Sequence, residues 1–138
     1  MQPRPSIMVV DDQADIRELT ALLLEGAGYD VVAKPSGADA LRHLVAHSCQ
    51  LVLLDINMPE MDGWETLRLI RADDSLADLP VVMFSVKDRI HDRVLGMQEG
   101  AVDYITKPFE VDQLLYRVRR VLEARRGGPR PPTSQPVA

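Results

Sequence analysis

The chain has 138 residues, a formal net charge of -5, 46% hydrophobic and 27% charged residues, and one cysteine. That size suits a single domain with one core, and the longest apolar runs fall far short of a membrane span. The acidic balance argues against unspecific nucleic-acid binding as the main activity, Cys49 has no intramolecular disulfide partner, and "MQPRPS" leads into "IMVV" without a secretory leader, so a cytoplasmic protein without membrane attachment is expected.

An N-terminal extension, residues 1–5, precedes the first predicted strand, "IMVV" (7–10). A helix follows on Ile16, Leu19, Leu22 and Leu23, with Gly28 suited to its C-cap. "YDVVA" (29–33) is the second strand, and Ser36 is a natural N-cap for a second helix carrying Leu41, Leu44 and Val45. "LVLLD" (51–55) is the third strand, and Trp64, Leu67 and Ile70 mark the third helix. "VVMFS" (81–85) is the fourth strand, Ile90, Val94 and Met97 the fourth helix, and Gly100 its C-cap. "VDYIT" (102–106) is the fifth strand. The last helix begins near Glu110, with Val111, Leu114, Leu115, Val118, Val121 and Leu122 on one stripe. From Gly127 the proline-rich "GGPRPPTSQPVA" has no apolar period and reads as a flexible tail or linker.

Strands separated by helical crossovers run parallel, and continuously apolar strands such as "LVLLD" imply burial on both faces. A three-layer α/β sandwich with a five-stranded parallel sheet is therefore expected. Ligands of open α/β sheets bind beyond the carboxyl ends of the strands. The first strand leads into Asp11 and Asp12, the third ends in Asp55 and the fourth in Ser85, while Lys107 follows the fifth. Taken singly, Asp11 and Asp12 could be helix caps, Asp55 a turn residue and Lys107 a solvated lysine. Taken together, three carboxylates, a hydroxyl and an ammonium converge on one edge. Carboxylates so grouped repel one another unless a hard dication neutralises them, and Mg²⁺ accepts one or two carboxylates while leaving room for a phosphoryl group. Asp55 is central enough to be a nucleophile that forms an aspartyl phosphate.

The segments "VVDD" (9–12), "LLDINMPEMDG" (54–63), "FSVKD" (84–88) and "GAVDYITKPF" (100–109) resemble the markers of the receiver (CheY-like) domain of two-component response regulators, and the resemblance spans residues 6–126. It implies a flavodoxin-like (βα)5 fold with strand order 2-1-3-4-5. It also implies that Asp55 is the phosphoacceptor, served by a histidine kinase or phosphotransfer protein. Asp12 resembles the direct Mg²⁺ ligand, Asp11 its neighbour acting through water, and Asn57 the residue whose backbone carbonyl completes the metal site. Lys107 resembles the lysine that pairs with the acceptor and then with the phosphoryl group, with a cis link to Pro108. Ser85 and Tyr104 resemble the switch pair. The fourth helix, fifth strand and fifth helix would form the output face, open to a partner, an effector domain or dimerisation. Val86 departs from the very small residue usual after the switch hydroxyl, and Asn57, Val86 and Lys87 are expected to tune access and signal lifetime.

Two other classes compete. An aspartyl-phosphate phosphatase normally needs an acid/base carboxylate two residues after its nucleophile, where this chain has Asn57. An FMN carrier needs a Ser/Thr/Gly-rich phosphate loop, where this chain has the acidic "DDQAD". His43 and His47 stand one helical turn apart but lack a third metal ligand, and are expected to be a solvated pair. Arg117, Arg119, Arg120, Arg125 and Arg126 complement the C-terminal dipole of the last helix rather than form a nucleic-acid patch.

Overall fold

The computed structural model describes residues 4–85 and 98–126. Five strands form one parallel sheet in the order β2-β1-β3-β4-β5: β1 (Ser6–Val10), β2 (Asp30–Lys34), β3 (Leu51–Asp55), β4 (Val81–Ser85) and β5 (Asp103–Thr106). Three helices, α1 (Ala14–Gly26), α2 (Gly37–Ala46) and α3 (Gly63–Ala72), and a last helix at Val111–Arg126 pack on it. The expected fold class and strand order are both present. The fourth predicted helix and the predicted tail lie outside the described residues.

Alternation along the strands divides the core in two. Met8, Val10, Val52, Leu54, Val81, Met83 and Tyr104 point to one face, where α2 and α3 contribute Ala40, Leu44, Leu67 and Ile70. Ile7, Val9, Leu51, Leu53, Val82, Phe84 and Ile105 point to the other, with Leu24 of α1 and Leu114, Val118 and Leu122 of the last helix. Every residue of β3 is buried because the strand lies between two neighbours and is covered on both faces.

The inward faces of the helices differ in part from the predicted stripes. On α1 the buried residues are Thr20 and Leu24, while Leu19 and Leu22 are 48% and 65% exposed. Too many apolar residues crowd this helix for periodicity to select one face, and a threonine occupies a buried position. Val45 of α2 and Val111 of the last helix are likewise exposed, at the edges of their stripes.

Local chemistry sets the helix ends. Gly28, at φ 104°, closes α1: its N–H donates to Glu25 O at 3.1 Å and that of Tyr29 to Leu24 O at 3.1 Å, the paired bonds of a Schellman motif. The Ser36 hydroxyl accepts from Asp39 N at 3.1 Å at the start of α2. Asp62, a cap not expected from the sequence, accepts from Glu65 N at 2.9 Å at the start of α3. Gly100, at φ 103°, is braced by Arg71, whose Nη2 donates to its carbonyl at 2.8 Å.

Gly63 is required for a different reason. A Cβ there would strike the carbonyl oxygen of Asp55 and stand 2.7 Å from Ile56 Cα, so the obstacle is backbone that cannot rotate away. The Gly63 N–H donates to Ile56 O at 2.8 Å, fastening the start of α3 beneath the end of β3. Gly63→Ala should therefore lower unfolding free energy by about 2–4 kcal/mol, as overpacking against fixed atoms does. Chemical denaturation checks this; a change under about 0.5 kcal/mol, the range of ordinary surface substitutions, would refute the packing argument.

Candidate functional site

β1 and β3 are neighbours whose outgoing crossovers lead to opposite faces, so the crevice of the sheet opens at their carboxyl ends. Asp11 follows β1 and is fully buried, and Asp55 ends β3 at 3% exposure. Asp12 is exposed at the rim. One carboxylate oxygen from each of the three lies within 4.8 Å of the others, the only such acid, histidine or cysteine cluster among the described residues. Lys107, just past β5 and joined to Pro108 by a cis peptide bond, enters the group from the side.

The Lys107 ammonium donates to Asp11 Oδ2 at 2.6 Å and stands 3.3 Å from Asp55 Oδ1. The second contact is an ion pair without hydrogen-bond geometry, which leaves Asp55 Oδ1 buried with no hydrogen-bond partner. Burial pushes the Asp55 carboxyl up to about 6; Lys107 opposes this, Asp11 adds to it, and the Asn57 backbone N–H draws it down. Ionised, three carboxylates against one ammonium leave two negative charges, the amount one divalent cation neutralises. An all-oxygen donor set with an orphaned carboxylate oxygen fits Mg²⁺.

The turn that carries Asp11 and Asp12 is held from both sides. Asp11 Oδ1 accepts from Gln13 N at 3.0 Å, and Arg17 on α1 donates from Nη1 to the Asp11 carbonyl at 2.8 Å. The role of Arg17 is not legible in the sequence, because a carbonyl partner leaves no pattern in residue types. The pair "DG" at 62–63 provides both the α3 cap and the room beneath Asp55.

The remaining predicted residues are spread around this core. Asn57 is exposed in the loop after β3. Ser85 ends β4, level with Thr106 in β5, while Tyr104 is level with Met83 and 5% exposed. Val86 and Lys87 lie outside the described residues. His43 and His47 stack at 4.5 Å; burial, then His47 and Lys34, hold the His43 imidazole below its ordinary value. Burial pushes the half-buried Cys49 thiol up to about 11, so it stays protonated at neutral pH.

Residues 7–119 match the response regulator receiver domain. The chain belongs to that family. It is 38% identical over 118 residues to the DNA-binding dual master transcriptional regulator RpaA of Synechocystis sp., covering 86% of this chain and 49% of that protein. It is also 38% identical over 124 residues to the phosphate regulon transcriptional regulatory protein PhoB of Pseudomonas aeruginosa, covering 90% and 53%. The chain thus spans about half the length of the curated relatives it matches. Among solved structures, the chemotaxis protein CheY4 of Vibrio cholerae superposes with TM-score 0.83 at 28% identity, covering 86% of this chain and 99% of that one. A response regulator receiver protein from Pseudomonas putida gives 0.80 at 30%, covering 87% and 99%. As a receiver domain, the chain is a phosphorylation-controlled switch of two-component signalling. No helix among the described residues is long and apolar enough to cross a membrane.

The raised Asp55 value carries a pH signature. Because its folded value lies above its unfolded one, the group favours folding most when protonated, and that contribution fades as pH rises through about 6. Metal-free protein should therefore lose about 1 kcal/mol relative to Asp55→Asn between pH 4 and pH 8, after allowance for solvent screening. Thermal unfolding of both proteins across that range measures it, and parallel pH profiles would contradict it.

Proposed function

We propose that Asp55 is the residue phosphorylated when this receiver is switched on. The observation that carries the reading is the buried Asp55 Oδ1, without a hydrogen-bond partner, 3.3 Å from the Lys107 ammonium and grouped with the carboxylates of Asp11 and Asp12. An Asp55 oxygen attacks the phosphorus of a phosphohistidine on a kinase or phosphotransfer protein. The new bond is O–P, the bond broken is P–N, and the imidazole leaves with the electron pair.

Asp11, Asp12, Asp55 and the backbone carbonyl of Asn57 would hold Mg²⁺, which when bound neutralises charge on the phosphoryl oxygens. Lys107, which now bridges the acids, pairs with a phosphoryl oxygen once Asp55 carries the acyl phosphate. Ser85 supplies a hydroxyl donor from the end of the neighbouring strand. Tyr104, two residues from the end of β5, is its partner in relaying the change to the face formed with the last helix. Asn57, Val86 and Lys87 set access and the lifetime of the phosphoryl group. The receiver assists its own phosphorylation and dephosphorylation, in the cytoplasm, without turning over an independent substrate. Its output passes to a partner protein or an attached effector domain.

Incubation with Mg²⁺ and a small acyl phosphate should add one phosphoryl group, seen as a mass increase in the intact protein. Asp55→Ala should abolish it, and chelation of Mg²⁺ should do the same. Equal labelling of Asp55→Ala would overturn the assignment.

A further inference from the structure

Among the described residues, Glu60 alone of the non-glycines has a positive φ, 70°. It lies in the loop after β3 that carries Asn57, and its side chain is exposed. A glutamate gains nothing from that conformation, which crowds its Cβ and which glycine reaches at no steric cost. Strain of this kind persists only where the surroundings over-determine it, and it gathers at functional sites.

The loop is held at its base and on both sides of Glu60. Ile56 N donates to Phe84 O at 2.9 Å, carrying the strand pairing past the end of β3, and Gly63 N returns to Ile56 O at 2.8 Å. Between those points Met58 is 7% exposed in the core that α2 and α3 cover. Met61 Sδ lies 3.1 Å from where a Cβ on Gly37 would stand, so it rests against the start of α2. Pro59 and Glu60 must therefore reverse the chain between two anchored methionines. Proline fixes φ near about -65°. The residue after such a proline is where a type II turn demands a positive φ, a position normally given to Gly or Asn. Asn57 adjoins the Met58 anchor, and its N–H is bonded to the Asp55 carboxylate. Its carbonyl belongs to the peptide unit that Met58 completes, so the direction of that carbonyl depends on the turn staying closed.

We propose that Glu60 is a positioning residue for the metal site: its left-handed backbone keeps the loop closed with the Asn57 carbonyl ready for Mg²⁺, and its strain sets the fraction of molecules in that state. The inference rests on the proposed metal role of Asn57. Apparent affinity falls in proportion to the fraction of protein already competent to bind. Side chains that resist a positive φ therefore weaken Mg²⁺ binding without touching the ion, and glycine strengthens it. The Glu60 carboxylate takes no part.

The test is the rise of the thermal unfolding midpoint with Mg²⁺ concentration, measured on the full chain. It separates affinity for the folded protein from the stability of the metal-free protein, which a merely structural role would change alone. Glu60→Val, whose β-branched side chain is ill suited to positive φ, should move the Mg²⁺ dependence about tenfold to higher concentration. Glu60→Gly should tighten binding about threefold. Glu60→Gln keeps the backbone demand, removes the charge and should match the parent. The proposal is overturned if Glu60→Val responds to Mg²⁺ as the parent does, or if Glu60→Gln weakens binding as much as Glu60→Val, which would assign the effect to charge. If Glu60→Val does not fold, Glu60→Gly decides, and binding no tighter than the parent's overturns the proposal. A parent chain that shows no Mg²⁺ response at all removes the metal reading and the proposal together, whereas the other adverse results remove the proposal alone.

Discussion

The Lys107 ammonium lies between two buried carboxylates, bonded to Asp11 and merely near Asp55, and this unequal sharing governs the site. A lone buried lysine or a bare pair of buried aspartates would each carry a desolvation cost of several kcal/mol, so neither is tolerable without the other. Because Asp11 takes the hydrogen bond, Asp55 keeps an oxygen free of protein donors while remaining close to positive charge. That suits the atom proposed to form a bond to phosphorus. The three groups come from residues distant in sequence, and only the parallel sheet, with β1 and β3 adjacent and β5 reached through β4, brings them to one edge.

The chain around the site resists displacement. Asp11 is tied at its carboxylate by Gln13 and Lys107 and at its carbonyl by Arg17. Asp55 is the last residue of a strand with no exposed position, and the loop beyond it is pinned where Gly63 meets Ile56. Lys107 Nζ lies 5.7 Å from the centroid of Phe84, which itself stacks on Phe109 at 5.6 Å. Such a frame lets a charge change at Asp55 act on neighbouring groups rather than dissipate in local movement.

Much of this was legible in the residues because strands announce themselves by apolar runs and the residues that end them are fixed by counting. Asp11, Asp12, Asp55 and Lys107 could be grouped from that rule alone, and the strand order followed from the resemblance. What escaped were features whose partners are backbone atoms: the Arg17 bond to a carbonyl, the Asp62 cap, and the exclusion of any side chain at Gly63. The inward face of α1 was misread for another reason. Leu19, Leu22, Leu23 and Leu24 offer more apolar positions than one face can hold, and only tertiary packing selects Leu24 and Thr20 for the interior.

Gly63 is followed directly by Trp64, half-buried against the core cluster that α2 and α3 cover and the single tryptophan of the chain. Indole emission depends on the polarity around the ring, so the domain carries an intrinsic optical sensor on the helix fastened beneath Asp55. Rearrangement of the loop after β3 that alters this ring's solvation becomes visible in real time, in unlabelled protein, through a side chain outside the Asp11–Asp12–Asp55–Lys107 group.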